Sequence, residues 1–394
     1  MSDSSEDEDW PVSSDWLTRV LTDFHQGPVT VDSYRLAQAE SALSDILFVS
    51  VVYRPPGSSG SQTKDLVLKL LPRDPFSRFF VSEAQFDLRE IKFYTKVAPE
   101  LHEHQLSYLT SSQQAIRLDI PLLYHALYSG GEDSPIESIL VLENLKSEGY
   151  DTVDFAQGLS LEQAQAAISS VAKLHALSLL MKVREGVPLD RKYPFLFQTA
   201  RATDSYQQLV ERGLPQLNDF LQGCPGLEPV MEALAALKPD TKEIISGLLA
   251  PREPLSLITH TDFWCNNLLF DKEDRCCILD WQMVTYSRPT NDIALLMVSS
   301  LATETRRSQS TTLLDHYWAE LTACCRRVSL DIEVELGYTR NDLSLDFRRS
   351  QLLALLLCIG SVDVALGNPV TEHRLVSLLQ DLHSEGILST EMIF

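Results

Sequence analysis

The feature of this sequence that most constrains its fold is the segment HTDFWCNN at 260–267, followed after a turn by ILDWQ at 278–282. Apolar runs flank these polar residues at 255–258, 268–270 and 277–279. Short apolar runs separated by polar loops are typical of short strands. Such strands would bring the side chains of Asp262, Asn267 and Asp280 together at one edge of a small β-ribbon. We therefore predict a polar site at this edge.

The three side chains have complementary chemistry. Asn267 and Asp280 supply the hard oxygen ligands that Mg²⁺ prefers, and Mg²⁺ commonly binds one or two protein oxygens together with waters and substrate phosphates. Asp262 would remain to accept a proton from a hydroxyl or to orient it. The alternative is that Asp and Asn occur here only because they form the local hydrogen bonds of turns.

A lysine within an apolar strand gives a second signal. Lys69 lies in the run LVLKLL at 66–71, where an ammonium without a partner would be costly. The segment 82–97 has the apolar spacing of an amphipathic helix and offers Glu83 and Glu90, of which Glu90 lies on the stripe that faces the sheet. We predict a Lys69–Glu90 pair directed at nucleotide phosphates. The alternative is an edge-strand lysine that reaches solvent.

Periodicity predicts an α+β fold with a β-rich N-terminal part and a mostly helical C-terminal part. The pattern from about Trp10 to Pro72 is β-like, and strands are predicted at 46–53, 66–71, 116–127 and 138–142. Helices are predicted at 160–183, where Ser160 and Gln163 form a capping box, and at 206–221, 229–249, 311–328, 345–364 and 371–383. We predict an acidic disordered tail at 1–15, an N-terminal lobe at 16–145 and a C-terminal lobe at 146–394.

Charge and cysteine content argue against several classes of protein. The chain has 33 Lys+Arg and 55 Asp+Glu, a net charge of −22, so we expect neither nucleic acid nor an anionic membrane as a partner. The 7 cysteines include no C-x-x-C pair, which argues against a zinc site or a disulfide framework. No basic and apolar leader is seen, and the longest apolar stretch, 352–359, is shorter than the ~20 residues of a membrane span. We predict a cytoplasmic protein of unspecified oligomeric state.

The order of the motifs resembles that of a known group. A strand lysine, a helix glutamate, a hinge after a strand, an H-x-D-x-x-x-x-N loop and a strand-end aspartate occur in this order in the aminoglycoside phosphotransferase and choline kinase superfamily. More narrowly, five segments are similar to signatures of the ecdysteroid kinase-like (CHK kinase-like) family: REIKFY at 89–94, VLENL at 141–145, VAKLHALS at 171–178, HTDFWCNNLLF at 260–270 and ILDWQ at 278–282.

This resemblance implies a bilobal protein-kinase-like fold and an ATP- and Mg²⁺-dependent transfer of a phosphoryl group to a hydroxyl of a small molecule. The acceptor would be an ecdysteroid or another hydroxylated apolar metabolite. Asp262 would be the catalytic base, Asn267 and Asp280 the Mg²⁺ ligands, and Lys69 with Glu90 the pair that positions the phosphates.

The resemblance also implies roles for further residues. Backbone groups from Glu143 to Leu145 would bind the adenine. Asp292 would buttress the catalytic loop, and His175 would pack in the core near that loop. The acceptor would lie against the helical lobe, where the apolar helix with Cys358 either lines the acceptor pocket or belongs to the core.

Three positions depart from the family's pattern. Ala39 replaces a glycine in the turn that covers the phosphates, so the hydroxyls of Ser41 and Ser44 would donate instead of backbone groups. Thr261 stands where glycine is usual, which is unfavourable if its φ is positive. Trp281 replaces phenylalanine after the metal-binding aspartate, a conservative change.

Two other functions are alternatives to a small-molecule kinase. A nucleotide-binding pseudokinase or scaffold without phosphotransfer is favoured by the changes at Ala39 and Thr261. A protein kinase is disfavoured because the chain lacks a G-x-G-x-x-G turn, an A-P-E segment and a recognisable activation loop after Asp280.

Overall fold

The structure is a computed structural model that describes residues 10–39, 43–111, 114–131 and 134–393. These residues form two compact units. Unit 1 contains the described residues up to Ser82 and those of Pro121–Glu148, and unit 2 contains Glu83–Ile120 and the described residues from Gly149 onward. Unit 1 carries an antiparallel sheet and unit 2 is mostly helical, which confirms the predicted α+β class.

The sheet of unit 1 has the strand order β1-β2-β3-β5-β4 with antiparallel neighbours. Its strands are β1 Thr30–Ala39, β2 Asp45–Arg54, β3 Gln62–Leu70, β4 Leu123–Gly131 and β5 Ser134–Glu143. Alternate residues of β2 and β3 are buried in one core, among them Leu47, Val49, Leu66 and Leu68. The hairpin predicted at 46–53 and 66–71 is confirmed.

The first described element is a helix, α1 Ser14–His25, where the sequence analysis predicted a β pattern. The side chain of Ser13 caps it by accepting the N–H of Trp16. Leu17 and Leu21 lie one turn apart on one face and pack into the core of unit 1, a helical spacing that the prediction overlooked. Residues 14 and 15 of the predicted tail are therefore helical, and the first nine lie outside the described residues.

Two boundaries near residues 82–127 differ from the prediction. The prediction of a single helix at 82–97 is replaced by two helices, α2 Pro75–Ala84 and α3 Phe86–Lys92, which are separated by Gln85 with a φ of 57°. After α3 the chain continues as a π-helical turn at Phe93–Val97 and as α4 Ala98–Leu106. Residues 116–122 are not a strand, because the side-chain amide of Gln105 binds both the N–H and the carbonyl of Ile116.

The segment Glu83–Ile120, which the sequence analysis placed in the N-terminal lobe, groups with unit 2. Aromatic packing accounts for this. The ring of Phe93 stacks on that of Trp281 at 3.9 Å between centroids, with both side chains buried. The guanidinium of Arg89 also donates to the carbonyl of Val284 at 2.8 Å.

The longer helices of unit 2 after α4 follow the prediction with two exceptions, and the short α6 and α12 were not predicted. They are α5 Leu161–Arg184, α6 Leu189–Lys192, α7 Ala200–Gln222, α8 Glu228–Leu237, α9 Thr241–Leu249, α10 Thr290–Ser300, α11 Thr303–Arg327, α12 Ile332–Leu336, α13 Arg340–Gly360 and α14 Pro369–Ser384. The predicted helix at 229–249 is divided by a 3₁₀ turn at Lys238–Asp240, and α10 was not predicted. The capping box of Ser160 and Gln163 is present at the start of α5.

Within the described part of the chain, α5 is the one helix with the length and composition of a membrane span. Its most apolar window is 72% buried inside the protein. This burial is what a core helix of a folded domain shows.

Four short strands form two ribbons that carry the predicted site. They are β6 Leu257–Thr259, β7 Leu268–Phe270, β8 Cys276–Ile278 and β9 Thr285–Ser287. β7 pairs with β8, as predicted, and β6 pairs with β9, a strand that the sequence analysis did not predict.

The close approach of α7 to α13 leads to a first testable prediction. A Cβ atom on Gly213 would lie 1.9 Å from the carbonyl oxygen of Ile359. We expect Gly213→Ala to lower the free energy of unfolding by about 2–3 kcal/mol, because overpacking outweighs the better helix propensity of alanine. Denaturant unfolding measures this. Gly223→Ala, whose Cβ would lie 3.4 Å from its nearest neighbour, is the matched control, and equal stability of the two variants would contradict the packing.

Candidate active site

The loop between β6 and β7 brings Asp262 and Asn267 into contact. The side-chain amide of Asn267 donates to the carboxylate oxygen Oδ2 of Asp262 at 2.7 Å and to the Asp262 carbonyl at 2.9 Å. Leu279 donates its backbone N–H to the carbonyl of Asn267 at 2.8 Å, so Asp280 is the next residue after the one that meets Asn267. The polar edge that the sequence predicted is thus present in unit 2.

The orientation of the Asn267 amide follows from its partners. A carboxylate and a carbonyl only accept hydrogen bonds, so the nitrogen must face Asp262 and the oxygen Oδ1 must face away. That oxygen accepts no hydrogen bond from any described residue, which suits a cation ligand. No cluster of three or more His, Cys, Asp or Glu within the described ranges has the geometry of a metal site. A cation at Asn267 and Asp280 would therefore depend on water or phosphate ligands, as Mg²⁺ does.

His260 links the two halves of this site. Its Nδ1 accepts the backbone N–H of Asp262 at 3.2 Å, so Nε2 carries the proton and donates to the carbonyl of Leu279 at 2.8 Å. The ring is buried and meets Trp281 edge-on at 4.5 Å. The imidazole therefore connects the backbone at Asp262 to that of Leu279, the residue just before Asp280. The sequence analysis gave His260 no role, although it stands two residues before Asp262.

Asp292 holds the same loop from α10. Its carboxylate accepts the backbone N–H groups of His260 at 2.8 Å and Thr261 at 2.7 Å, and Nε2 of His175 at 3.0 Å. Asp292 and His175 are fully buried, and the second ring nitrogen of His175 contacts the hydroxyl of Tyr317 at 2.9 Å. The positions that the resemblance implied for Asp292 and His175 are therefore observed.

Thr261 has a φ of 69°, in the left-handed region that disfavours a β-branched residue. Besides the hydrogen bond from its N–H to Asp292, its hydroxyl contacts that of Thr259 at 3.0 Å. These contacts keep the loop in a conformation for which glycine would be the usual choice. The concern raised by the sequence about a positive φ at this position is confirmed.

Substitutions at Thr261 should reveal this strain. We expect Thr261→Gly to be more stable to unfolding than Thr261→Ala by about 1 kcal/mol, because both lose the hydroxyl but only glycine adopts a positive φ without penalty. At ordinary positions the order is reversed, with alanine more stable. Thermal or denaturant unfolding of the pair makes the comparison, and a more stable alanine variant would contradict the backbone conformation.

The residues predicted to position phosphates are divided between the units. Lys69 lies on β3 of unit 1, opposite Ile46 and Leu140 on the neighbouring strands, and is half-buried. Glu90 lies on α3 of unit 2, is buried, and accepts the backbone N–H of Trp281 at 3.1 Å. The Lys69–Glu90 pair stays a prediction.

Of the two serines predicted to bind phosphates, one can be placed. Ser44 is buried and precedes β2 in unit 1. Ser41 lies outside the described residues.

The predicted adenine-binding backbone lies at the end of β5 in unit 1. Glu143 donates its N–H to the carbonyl of Leu122, and Asn144 donates to that of Asp65, both at 3.0 Å. Within the described residues the N–H of Leu145 donates to no acceptor. Of these three backbone donors, only that of Leu145 is therefore available to a ligand.

A cavity of about 70 Å³ opens beside Asp262 within unit 2. We call it the acceptor cavity. At about 30 Å³ for each water molecule it holds about two waters, so it can take a small group of a ligand. Residues from the segment before α5, the loop between β6 and β7, α10, α13, α14 and the connection before α14 line it: Phe155, Asp262, Trp264, Leu295, Val298, Ser299, Leu357, Cys358, Ser361, Val362, Val364, Ala365, Thr371, Arg374, Leu375 and Leu378.

The apolar helix predicted at 352–364 contributes residues both to this cavity and to the core. Cys358 lines the cavity, whereas most of its neighbours on α13, such as Leu352 and Leu355, are core residues. The sequence analysis missed the other lining residues apart from Asp262, because they come from separate segments of the chain and form no motif.

Several solved structures are similar to this chain at low sequence identity. The choline kinase LicA from Streptococcus pneumoniae is 13% identical, with a TM-score of 0.42, over 90% of this chain and 94% of that one. The choline kinase from Cryptosporidium parvum Iowa II is 12% identical, with a TM-score of 0.46, over 90% and 91%. The ethanolamine kinase from Plasmodium vivax is 11% identical, with a TM-score of 0.44, over 90% and 85%. A comparison with curated proteins gave no match.

The assignment rests on a family model rather than on these distant likenesses. The model of the ecdysteroid kinase-like family matches residues 38–330, well over half of the 394 residues. It spans Lys69, Glu90 and the whole loop that carries Asp262, Asn267 and Asp280. The family predicted from the motifs is thereby confirmed: this chain belongs to the ecdysteroid kinase-like family, a family of small-molecule kinases.

Proposed function

We propose that this chain transfers the γ-phosphoryl group of ATP to a hydroxyl of a small apolar molecule, with Mg²⁺ as the metal cofactor. The observation that carries the proposal is the position of Asp262, which lines an otherwise largely apolar cavity while Asn267 holds its carboxylate. An acceptor whose apolar part fills this cavity would bring its hydroxyl to the carboxylate of Asp262.

Asp262 would take the hydroxyl proton as the acceptor oxygen bonds to the γ-phosphorus and the bond to ADP breaks. Phosphoryl transfer demands alignment and charge neutralisation more than covalent chemistry. The contacts of Asp262 with Asn267 and His260 supply alignment, since they fix both its carboxylate and its backbone.

The donor atoms support a place for Mg²⁺ at Oδ1 of Asn267 and the carboxylate of Asp280. When bound, Mg²⁺ would neutralise negative charge on the phosphate oxygens. Lys69 with Glu90, the hydroxyls of Ser41 and Ser44, and the backbone from Glu143 to Leu145 would hold the nucleotide, with the N–H of Leu145 as the donor to adenine.

The acceptor would be an ecdysteroid or another hydroxylated apolar metabolite. The seven cysteines lie within the described residues and are all free, which agrees with a reducing, cytoplasmic setting.

ADP release in the presence of Mg²⁺-ATP tests the proposal. Steroid, choline-like, aminoglycoside and phenolic alcohols serve as acceptors, and Asp280→Ala serves as the inactive variant. We expect turnover that requires an acceptor and is lost in the variant. If ATP and Mg²⁺ raise the melting temperature but no acceptor stimulates ADP release, the nucleotide-binding pseudokinase replaces the kinase.

A further inference from the structure

Two buried hydrogen-bond donors at the acceptor cavity lack an acceptor. They are the indole Nε1–H of Trp264 and the guanidinium Nη1 of Arg374, and neither has a partner among the described residues. A buried donor without a partner is costly and uncommon in folded proteins, so each such group calls for an explanation. Two such donors on residues that line one cavity suggest a single explanation for both.

Arg374, on α14, is also a buried charge that no carboxylate contacts. Its side chain is 7% exposed, its Nη2 donates to the carbonyl of Phe155 at 2.9 Å, and its guanidinium lies 4.5 Å from the centre of the Phe155 ring. The described residues place no Asp or Glu oxygen within 4 Å of its guanidinium nitrogens. A guanidinium stays protonated at any physiological pH, so the cavity wall carries a positive charge. The carboxylate of Asp154 stabilises this charge from a distance but does not pair with it.

Asp262, the acidic side chain that lines the cavity, does not supply the missing hydrogen-bond acceptor. Asp262 already accepts a hydrogen bond from Asn267 and is the base of the proposed reaction. The remaining lining residues are apolar or carry only a hydroxyl or a thiol, with Thr371, Ser299, Ser361 and Cys358 as the polar ones. A ligand that fills the cavity is therefore the available source of an anion.

We propose that the acceptor carries a carboxylate in addition to its hydroxyl, and that this carboxylate binds Arg374 and Trp264. Carboxylates form strong charge-assisted hydrogen bonds with guanidinium groups, and one carboxylate has enough lone pairs to accept from the indole as well. A cationic amino alcohol is disfavoured at the same place, because its ammonium would meet a guanidinium of like charge. The inference rests on the proposed function, since it assumes that the cavity beside Asp262 is the acceptor site.

Binding of matched ligands tests this without any phosphoryl transfer. The probes are 4-(hydroxymethyl)benzoate, its primary amide, 4-methylbenzyl alcohol and 4-(hydroxymethyl)benzylamine, with a second set built on a steroid alcohol whose side chain ends in the same four groups. Calorimetry measures their dissociation constants for the full chain. We expect the carboxylate in at least one set to bind about tenfold or more tightly than its methyl counterpart, and the amine to bind most weakly.

Variants assign the preference to the two residues. Arg374→Met should abolish the advantage of the carboxylate, Arg374→Lys should retain part of it because the charge remains, and Trp264→Phe should reduce it about threefold by removing one N–H. Arg307→Met, which replaces an exposed arginine on α11, is the control and should keep it. The melting temperature of each variant shows whether it is folded.

The outcomes separate this inference from the proposed function. A carboxylate that binds no more tightly than the methyl compound or the amine, no binding by either set, or a preference that survives in both Arg374→Met and Trp264→Phe would overturn the inference. Carboxylate binding without acceptor-dependent ADP release would support the inference on ligand class and contradict the kinase activity.

Discussion

Replacing Asp262 by asparagine is expected to lower kcat for phosphorylation of an acceptor by about 10²–10⁴-fold, the range that a general base contributes. The amide still accepts the hydrogen bond from Asn267 through its oxygen, but it cannot take a proton from the hydroxyl. The loss should therefore fall on kcat, while KM for ATP stays close to that of the unchanged protein. Steady-state ADP release with a saturating acceptor measures it.

The neighbouring Asn266 provides the matched control for this variant. It is exposed and precedes Asn267 in the same loop. Asn266→Ala should keep kcat within about twofold of the unchanged protein, since its side chain does not face Asp262. If Asp262→Asn retains more than a tenth of the activity while the protein remains folded, the role of Asp262 as the base is wrong.

Replacing Asp292 by asparagine is expected to lower the free energy of unfolding by about 3–5 kcal/mol. Each carboxylate oxygen of Asp292 accepts a backbone N–H, from Thr261 on one side and His260 on the other, and the side chain is fully buried. An amide would turn its own NH₂ group toward one of these N–H groups, which leaves a buried donor facing a donor. Denaturant unfolding measures the loss.

The same variant should also lose activity, because the strained backbone at Thr261 depends on Asp292. Asp315→Asn is the control: Asp315 is 61% exposed and pairs with Arg340 on the surface, so its loss should cost less than about 1 kcal/mol. An Asp292→Asn protein that unfolds at the same denaturant concentration as the control would show that the aspartate does not hold the loop.

Much of the site was predictable because its chemistry lies in one short stretch of sequence. Asp262 and Asn267 are five residues apart, and Asp280 closely follows β8, the strand paired with β7, so short apolar runs separated by polar loops were enough to predict the ribbon. His260 belongs to the same stretch but was given no role, because contacts of both ring nitrogens with the backbone leave no signal in the sequence.

The errors of the prediction have separate physical causes. The helix α1 was missed because Leu17 and Leu21 are too few to stand out beside the long β pattern that follows. The break at Gln85 was missed because a glutamine with positive φ has no sequence signature. Arg374 and Trp264 come to line one cavity only through tertiary packing, so the local sequence around either residue could not predict that they share a site.

The residues that line the acceptor cavity lie partly inside and partly beyond the range of the family match, which affects how substrates can be assigned. The match to the family model ends at residue 330, whereas ten lining residues, from Leu357 on α13 to Leu378 on α14, lie beyond it. The family match therefore covers the loop with Asp262 and Asn267 and leaves most of the cavity wall uncovered. Two relatives with equally good matches can take unrelated acceptors, and the substrate of each has to be established from its own C-terminal helices.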